Sequence, residues 1–163
     1  MTKNDRMEEL ADQLSSEYGY HRCYEGYFSC FNRGEYYEAH DILEHLWLKG
    51  AGENHRFYKG LIQFAGAFVH LKKQYQRPDH PKDGRRLRPA SRLFLLAESN
   101  LSPYGEQHLG LNVRAVVGEC RGYCAWLEEQ QFSVNPWRPE HLPKLGLAPL
   151  RTSKQDVIPS AEA

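Results

Sequence analysis

The side chains best suited to chemistry in this sequence are histidines, a glutamate and a glutamine on otherwise apolar helix faces. His40 and Glu44 are four residues apart, so they are neighbours on a helix, and Trp47 continues the same edge. Gln63 and His70 are seven residues apart and share one face of a second, more apolar helix. Because a buried polar group needs a hydrogen-bond partner, the simplest arrangement pairs these two side chains with His40 and Glu44 across the helix interface.

Two interpretations of these residues stay open. Polar side chains inside a helical bundle are often hydrogen-bonded to one another in networks that fix helix register and have no other role. Alternatively, they line a pocket in which Glu44 holds the imidazole of His40 in one tautomer, so that the imidazole acts as a general base or as a metal ligand. His70 would then converge from the second helix. The candidate catalytic residues are therefore His40, Glu44 and His70.

A metal site is the less favoured hypothesis, and no cofactor is predicted. The same three residues would be the ligands of a divalent metal, but a carboxylate-bridged site needs several carboxylates that face inward. The helical pattern places Glu38 and Asp41 on the side that faces water. His45 and His55 are also expected at the surface. No serine or cysteine nucleophile stands beside a base.

The four cysteines, Cys23, Cys30, Cys120 and Cys124, are expected to be free buried thiols. No export signal precedes them, and a reducing compartment disfavours disulfides. Their spacings of seven and four residues permit two pairs on helix faces, but they differ from the two-residue spacing of common zinc motifs. A zinc site is therefore the weaker alternative.

Hydrophobic periodicity predicts that all these residues lie on helices, because apolar residues recur at intervals of three and four. The predicted helices span residues 7–18, 21–32, 35–49, 54–76, a fifth segment that ends near 99, and 112–131. The helix over 54–76 is apolar nearly all round, so it should be the central member that its neighbours cover. Pro89 leaves two starts open for the fifth helix: within its first turn, or near Asp83 with a kink at the proline.

These segments predict an all-α, single-domain antiparallel helical bundle of about five to six helices, since no alternating strand pattern is present. Residues 1–20 form an N-terminal helical extension, residues 21–131 the bundle, and residues 132–163 an extended, partly disordered tail that contains five of the nine prolines. Trp137 is the expected anchor of that tail. Gly60 and Gly66 in the central helix, and Gly118 and Gly122 in the last one, are expected to allow close approach of neighbouring helices.

Charge and composition narrow the classes of partner. The formal net charge is zero, yet residues 5–53 contain eleven acidic and four basic residues, whereas residues 72–92 contain eight basic and two acidic ones. Nucleic-acid binding is nevertheless not expected, because no RNA-binding motif accompanies the basic segment. No apolar stretch is long enough to span a membrane and no targeting segment is visible, so a cytoplasmic location is expected.

Two blocks, residues 31–47 and 56–63, resemble the domain-of-unknown-function family 309, a family of uncharacterised small helical proteins. The positions that fit its pattern are Ala39-His40, Leu43-Glu44, Trp47, Gly60-Leu61-Ile62-Gln63 and His70. Asp41 replaces the usual glutamate and Lys59 the first glutamine. The resemblance covers about residues 24–96, is thinner through the last helix, and implies a compact antiparallel helical domain. It coincides with the inward polar residues His40, Glu44, Trp47, Gln63 and His70, which are therefore expected to line one pocket or interhelical network. The candidate binding residues are Trp47, Gln63, Tyr36 and Arg56.

Three functions are compatible with these residues, and whether the protein is an enzyme stays open. The favoured one is a non-enzymatic module that binds a small molecule or a protein, for which exposed aromatics such as Tyr18, Tyr20, Tyr37 and Trp137 could supply anchors. A homo-oligomer is a further option for the partner. The alternative is a small hydrolase or lyase, with or without a metal, in which His40 is the base and Glu44 its orienting group. The third is a purely structural subunit.

Overall fold

The structure, a computed structural model, describes residues 1–14 and 16–150. In these residues the chain forms six α-helices: α1 (Lys3–Gln13), α2 (Arg22–Asn32), α3 (Tyr36–Leu48), α4 (His55–Gln76), α5 (Leu87–Leu101) and α6 (Val113–Glu129). An antiparallel hairpin of two short strands, β1 (Gln107–His108) and β2 (Leu111–Asn112), lies between α5 and α6. The predicted all-α bundle is confirmed, with this small hairpin as an addition.

The long helix α4 is the centre of the bundle, as its apolar sequence predicts. The helices α3 and α5 pack along its two sides, and aromatic side chains of α2 and α6 cover its inner face. The Phe31 ring of α2 stacks on Phe64 at 5.5 Å between ring centroids, and the Tyr123 ring of α6 meets Phe68 edge-on at 5.3 Å. The core is therefore built around α4.

Two of the four predicted close approaches at glycines are present. A Cβ atom added to Gly60 would lie 2.7 Å from Leu101 Cγ, and one added to Gly66 would lie 3.1 Å from Leu93 Cδ1, so α5 lies close against α4 at both positions. The prediction for Gly118 and Gly122 is wrong, because a Cβ atom at either position meets nothing within 4 Å. Both glycines lie on the exposed side of α6.

The first helix covers a face of α3 that the sequence places in water. Asp41 and His45 are only 6% and 7% exposed, which contradicts the expectation that both face solvent. The cause is α1, whose Glu8 carboxylate lies 2.9 Å from His45 Nε2 and whose Lys3 approaches Asp41. This helix begins at Lys3 and ends at Gln13, earlier at both ends than its apolar pattern predicts. Glu38 is exposed as expected.

The local sequence signals that predict the starts of α5 and α6 are confirmed. Pro89 is the third residue of α5, so the first of its two alternatives is correct. An N–H at that position would have no acceptor within the helix, and the proline therefore breaks no helical hydrogen bond. The Asn112 side chain caps α6 by accepting a hydrogen bond from the Ala115 amide at 3.0 Å.

The segment after α6 lies over the bundle and is held by specific contacts. Trp137 is buried and its Nε1 donates to the Tyr36 hydroxyl at 2.9 Å, which confirms it as an anchor but removes it from the exposed aromatics. Further on, the side-chain amide of Asn32 accepts from the Leu145 amide at 2.7 Å and donates to the Leu145 carbonyl at 2.9 Å. We call residues 133–150 the C-terminal strap. The disorder predicted for the end of the tail falls on residues outside the described ones.

Other expectations concern the cysteines and the membrane. All four cysteines are free, as predicted. Cys23, Cys30 and Cys120 are also buried as expected, whereas Cys124 is only half-buried. Among the described helices, none combines the length and apolarity that crossing a bilayer requires.

Candidate functional site

The buried middle of α4 retains one stripe that solvent can reach. Between Phe57 and Leu71, the residues that are not fully buried are Lys59, Gln63, Val69 and His70. Gln63 and His70 lie on the same side of the helix, with Gly66 between them, because residues three and four apart are neighbours. The predicted polar face of the central helix is therefore real, and it borders solvent.

The third helix brings His40 onto this stripe. A Cβ atom on Gly66 would lie 3.8 Å from His40 Cδ2 on one side and 3.1 Å from Leu93 Cδ1 on the other. Because glycine has no side chain, the imidazole from α3 and the leucine from α5 can both lie close to the α4 backbone. We call this surface, with Gln63, Gly66 and His70 as its floor and His40 and Leu93 as its walls, the polar groove.

The orienting group of His40 is Asp41, and the prediction of Glu44 for this role is wrong. His40 Nδ1 lies 2.9 Å from Asp41 Oδ1, whereas its Nε2 lies 4.0 Å from Glu44 Oε2. An ionised carboxylate only accepts, so the Nδ1 atom carries the proton and Nε2 does not. Glu44 instead accepts a hydrogen bond from Lys3 Nζ at 2.9 Å, because α1 brings this lysine over the end of α3.

Asp41 is ionised in this arrangement. Burial opposes its charge, but the hydrogen bond from His40 and the nearby positive charge of Lys3 hold the pKa of its carboxyl below its usual value. A buried carboxylate next to an imidazole fixes the ring orientation and its tautomer. The chain thus holds His40 in one orientation, with the imidazole 30% exposed.

The second imidazole is a neutral hydrogen-bond donor. Arg86 Nη1 donates to His70 Nδ1 at 3.0 Å, so the ring proton is on Nε2. Burial, together with the positive charges of Arg86, Lys73 and Arg92, lowers the pKa of His70 to about 4. Arg86 is itself held by Asp83, whose Oδ1 accepts from Arg86 Nε at 2.9 Å. His70 therefore stays uncharged at neutral pH.

Gln63 finds its partner on α5 and His70 finds its partner, Arg86, in the loop just before that helix, so the predicted pairing with α3 is wrong. Gln63 Oε1 accepts from Asn100 Nδ2 at 2.7 Å. Arg56, another candidate, donates from Nε to Asn100 Oδ1 at 3.3 Å and from Nη2 to the Ser99 carbonyl at 2.9 Å. The end of α5 thus supplies a network to the start of α4, since the two helices run antiparallel.

The remaining two candidates lie outside the polar groove. Trp47 Nε1 donates to the His55 carbonyl at 3.2 Å, and its ring lies against the His55 ring at 5.0 Å, so the indole joins the end of α3 to the start of α4. His55 is exposed as predicted. Tyr36 is a core residue that binds Trp137 through its hydroxyl.

A metal centre has no further support in the geometry. Within residues 1–14 and 16–150, no three His, Cys, Asp or Glu side chains form a group that could hold a metal ion. His40 lies beside the carboxylates of Asp41 and Glu44, but both carboxylates already form ion pairs with Lys3. The divalent-metal hypothesis stays a prediction.

Comparison with known proteins bears on the central helices. Residues 24–78 match the family model described as Domain of unknown function (DUF309). The matched segment covers most of α2 and all of α3 and α4. The resemblance drawn from the sequence is thereby confirmed, over a shorter range than residues 24–96. Neither the curated proteins nor the solved structures contain a chain that matches.

The DUF309 segment supplies the floor of the polar groove and one wall, and other parts of the chain complete it. Leu93 and Asn100 come from α5, Arg86 from the loop just before it and Lys3 from α1, all outside residues 24–78. Sequence reasoning missed them because each is an ordinary surface or core residue of its own helix. The apolar face of α1 was the available signal for Asp41, since that face must cover some part of the bundle.

Proposed function

We propose that this protein is a binding module and that the polar groove binds a small molecule. The small molecule carries a group that accepts hydrogen bonds from the protein. The observation that supports this proposal most is the position of His40 over Gly66, which lies between the half-buried Gln63 and His70 on α4. Such a site combines an apolar wall with a few polar groups fixed by their neighbours, which is the usual composition of small-molecule sites.

The chemistry of the groove favours a ligand with a carboxylate or another acceptor. His70 presents its Nε2 proton, and the cations Arg86, Lys73 and Arg92 lie close enough to lower its pKa. A neutral imidazole donor surrounded by positive charge favours acceptor oxygens. Because Asp83 already binds Arg86, the donor is held in place before a ligand arrives.

A screen of small carboxylic acids against the full chain by protein-observed NMR, which records the histidine ring signals, tests this proposal. We expect that hits shift the imidazole signals of His40 and His70. Their binding should weaken by at least about tenfold in His40→Phe, which keeps an aromatic ring but removes both nitrogens. The matched control is His141→Phe, which changes an exposed histidine of the C-terminal strap. Hits that bind His40→Phe as tightly as the unaltered protein would refute the groove as the binding site.

General-base catalysis by His40 is the second candidate, and the 2.9 Å contact between its Nδ1 and Asp41 supports it. A carboxylate that orients an imidazole and leaves Nε2 free is the arrangement of many general bases. In an assay with activated esters, His40→Gln and Asp41→Asn should both abolish the hydrolysis in excess of free imidazole, and His141→Gln should not. Hydrolysis that is equal in all variants would remove this candidate.

A further inference from the structure

A cavity of about 300 Å³ lies where the end of α4, the loop before α5 and the turn after α6 meet. Its lining residues are Gln74, Gly84, Arg85, Leu87, Arg88 and Phe132. None of them belongs to the polar groove. We call this cavity the arginine pocket.

The pocket carries positive charge that its surroundings do not neutralise. Arg77 and Arg86 in the same loop both bind the carboxylate of Asp83. In contrast, Arg85 and Arg88 form no ion pair with the described carboxylates, and no acidic side chain lines the pocket. Both guanidinium groups belong to exposed residues in the most basic segment of the chain.

One of the two arginines is held in position by an aromatic ring. The guanidinium carbon of Arg88 lies 4.1 Å from the centroid of the Phe132 ring, a cation–π contact. Phe132 reaches this place because the chain turns back after α6: Gln131 and Phe132 have φ values of 54° and 57°, and the Phe132 amide donates to the Leu127 carbonyl at 2.8 Å. Left-handed backbone is uncommon for residues other than glycine, so the position of this ring is specifically built.

The remaining polar side chain of the pocket is also a donor. Gln74 Oε1 accepts the backbone N–H of Arg86 at 2.6 Å, so its NH₂ group is the part of the amide left to donate. Two guanidinium groups and an amide NH₂ together offer several N–H donors. Guanidinium groups match the oxygens of phosphate with paired hydrogen bonds. The apolar side chains Leu87 and Phe132 form the other wall.

We infer that the arginine pocket binds the phosphate group of a small phosphorylated molecule, with Arg85 and Arg88 contacting the phosphate oxygens and Phe132 contacting the carbon skeleton. A phosphate neutralises both unpaired arginines at once. The pocket is independent of the polar groove, so the two proposals can fail separately.

The test is an NMR titration of the ¹⁵N-labelled full chain with phenyl phosphate, and with phenol as the uncharged probe. Phenyl phosphate should shift the backbone amides of Gly84 and Phe132, and phenol should not. The affinity should fall at least about tenfold in Arg85→Met and in Arg88→Met. The control is Arg138→Met, which removes the same charge from a guanidinium 5.9 Å from the Tyr75 ring.

Two results would overturn the inference. One is that the backbone amide signals of Gly84 and Phe132 do not shift at phenyl phosphate concentrations up to about 10 mM, a range in which even weak binding is detected. The other is an equal loss of affinity in all three methionine variants, which would show a general effect of net charge. Arg85→Met keeps the test valid if Arg88→Met unfolds the turn, because Arg85 makes no contact with the Phe132 ring among the cation–π pairs of the structure.

Discussion

Replacing Glu25 with glutamine tests how the chain between α1 and α2 is fixed to the bundle. Glu25 is 6% exposed, and its carboxylate accepts four hydrogen bonds. The Glu17 and Tyr18 amides donate to Oε1 at 2.7 and 3.1 Å. The Ser16 hydroxyl and the Tyr20 amide donate to Oε2, both at 2.8 Å. One acidic side chain therefore organises the whole turn.

The expected cost follows from this geometry. Glutamine keeps one acceptor oxygen. In the better orientation of the amide, this oxygen still accepts the hydrogen bonds from the Glu17 and Tyr18 amides, and the NH₂ group donates to the Ser16 hydroxyl. The Tyr20 amide then faces a donor and loses its partner. Leaving one partly buried N–H unpaired costs about 1 to 3 kcal/mol, so Glu25→Gln should lower the free energy of unfolding by that amount at neutral pH.

The cost should also depend on pH. Burial alone would raise the pKa of Glu25, but the hydrogen bonds from Ser16 and from the backbone amides of Glu17, Tyr18 and Tyr20 lower it overall. A carboxyl whose pKa is lowered in the folded state stabilises the protein above the unfolded-state pKa, about 4.3 for glutamate, and loses this contribution as the pH falls toward the folded-state value. The difference between the two proteins should therefore be constant near neutral pH and shrink in acid.

Urea unfolding followed by circular dichroism, at neutral pH and again below about pH 4.3, measures both effects. The control is Glu9→Gln, which removes the same charge from an exposed position of α1 and should change stability little. Equal stability of Glu25→Gln and the unaltered protein at neutral pH would refute the reasoning. A loss of stability that does not vary with pH would show that the charge of Glu25 is irrelevant.

Three further predictions concern the packing, the neutral histidine and the strap. Gly60→Ala should destabilise the protein by about 1 to 3 kcal/mol in thermal or urea unfolding because its Cβ has no room, whereas Gly118→Ala should stabilise it by about 0.5 to 1 kcal/mol; the opposite order would contradict the packing. Because the pKa of His70 is lowered to about 4, its NMR signals should stay unchanged from pH 8 to about pH 5. The contribution of the neutral imidazole to stability should be lost as the pH falls from about 6.5 toward 4. His70→Gln should therefore lose less stability in acid than the unaltered protein. Asn32→Leu should speed amide hydrogen exchange at Leu145, since it removes both hydrogen bonds to that residue; unchanged exchange would show that other contacts hold the strap.

Periodicity was sufficient for the helices because each one buries a face that its own residues define. The central position of α4 follows from apolar residues on nearly every side of residues 55–76. Pro89 and Asn112 mark helix starts through local chemistry that does not depend on the rest of the fold. The two-residue strands were not foreseen, because so short a pairing has no alternating pattern.

For the site, the sequence supplies the polar stripe on α4 and the edge of α3, which local spacing places correctly. It does not supply the partners, because these depend on which helices meet. The expectation that Glu44 orients His40 is wrong because α1 brings Lys3 to Glu44 and buries Asp41. A helical wheel describes one helix at a time, and burial at its edges is decided by neighbours that are distant in the chain.

The tertiary structure also decides the charge of the second imidazole. His70 is neutral because the fold buries it and because Arg86, sixteen residues further along the chain, reaches back to it. Spacing within one helix determined which side chains share a face of this protein. The packing of separate helices determined their partners, their protonation and their exposure, because hydrogen bonds and electrostatic fields act through space and not along the chain.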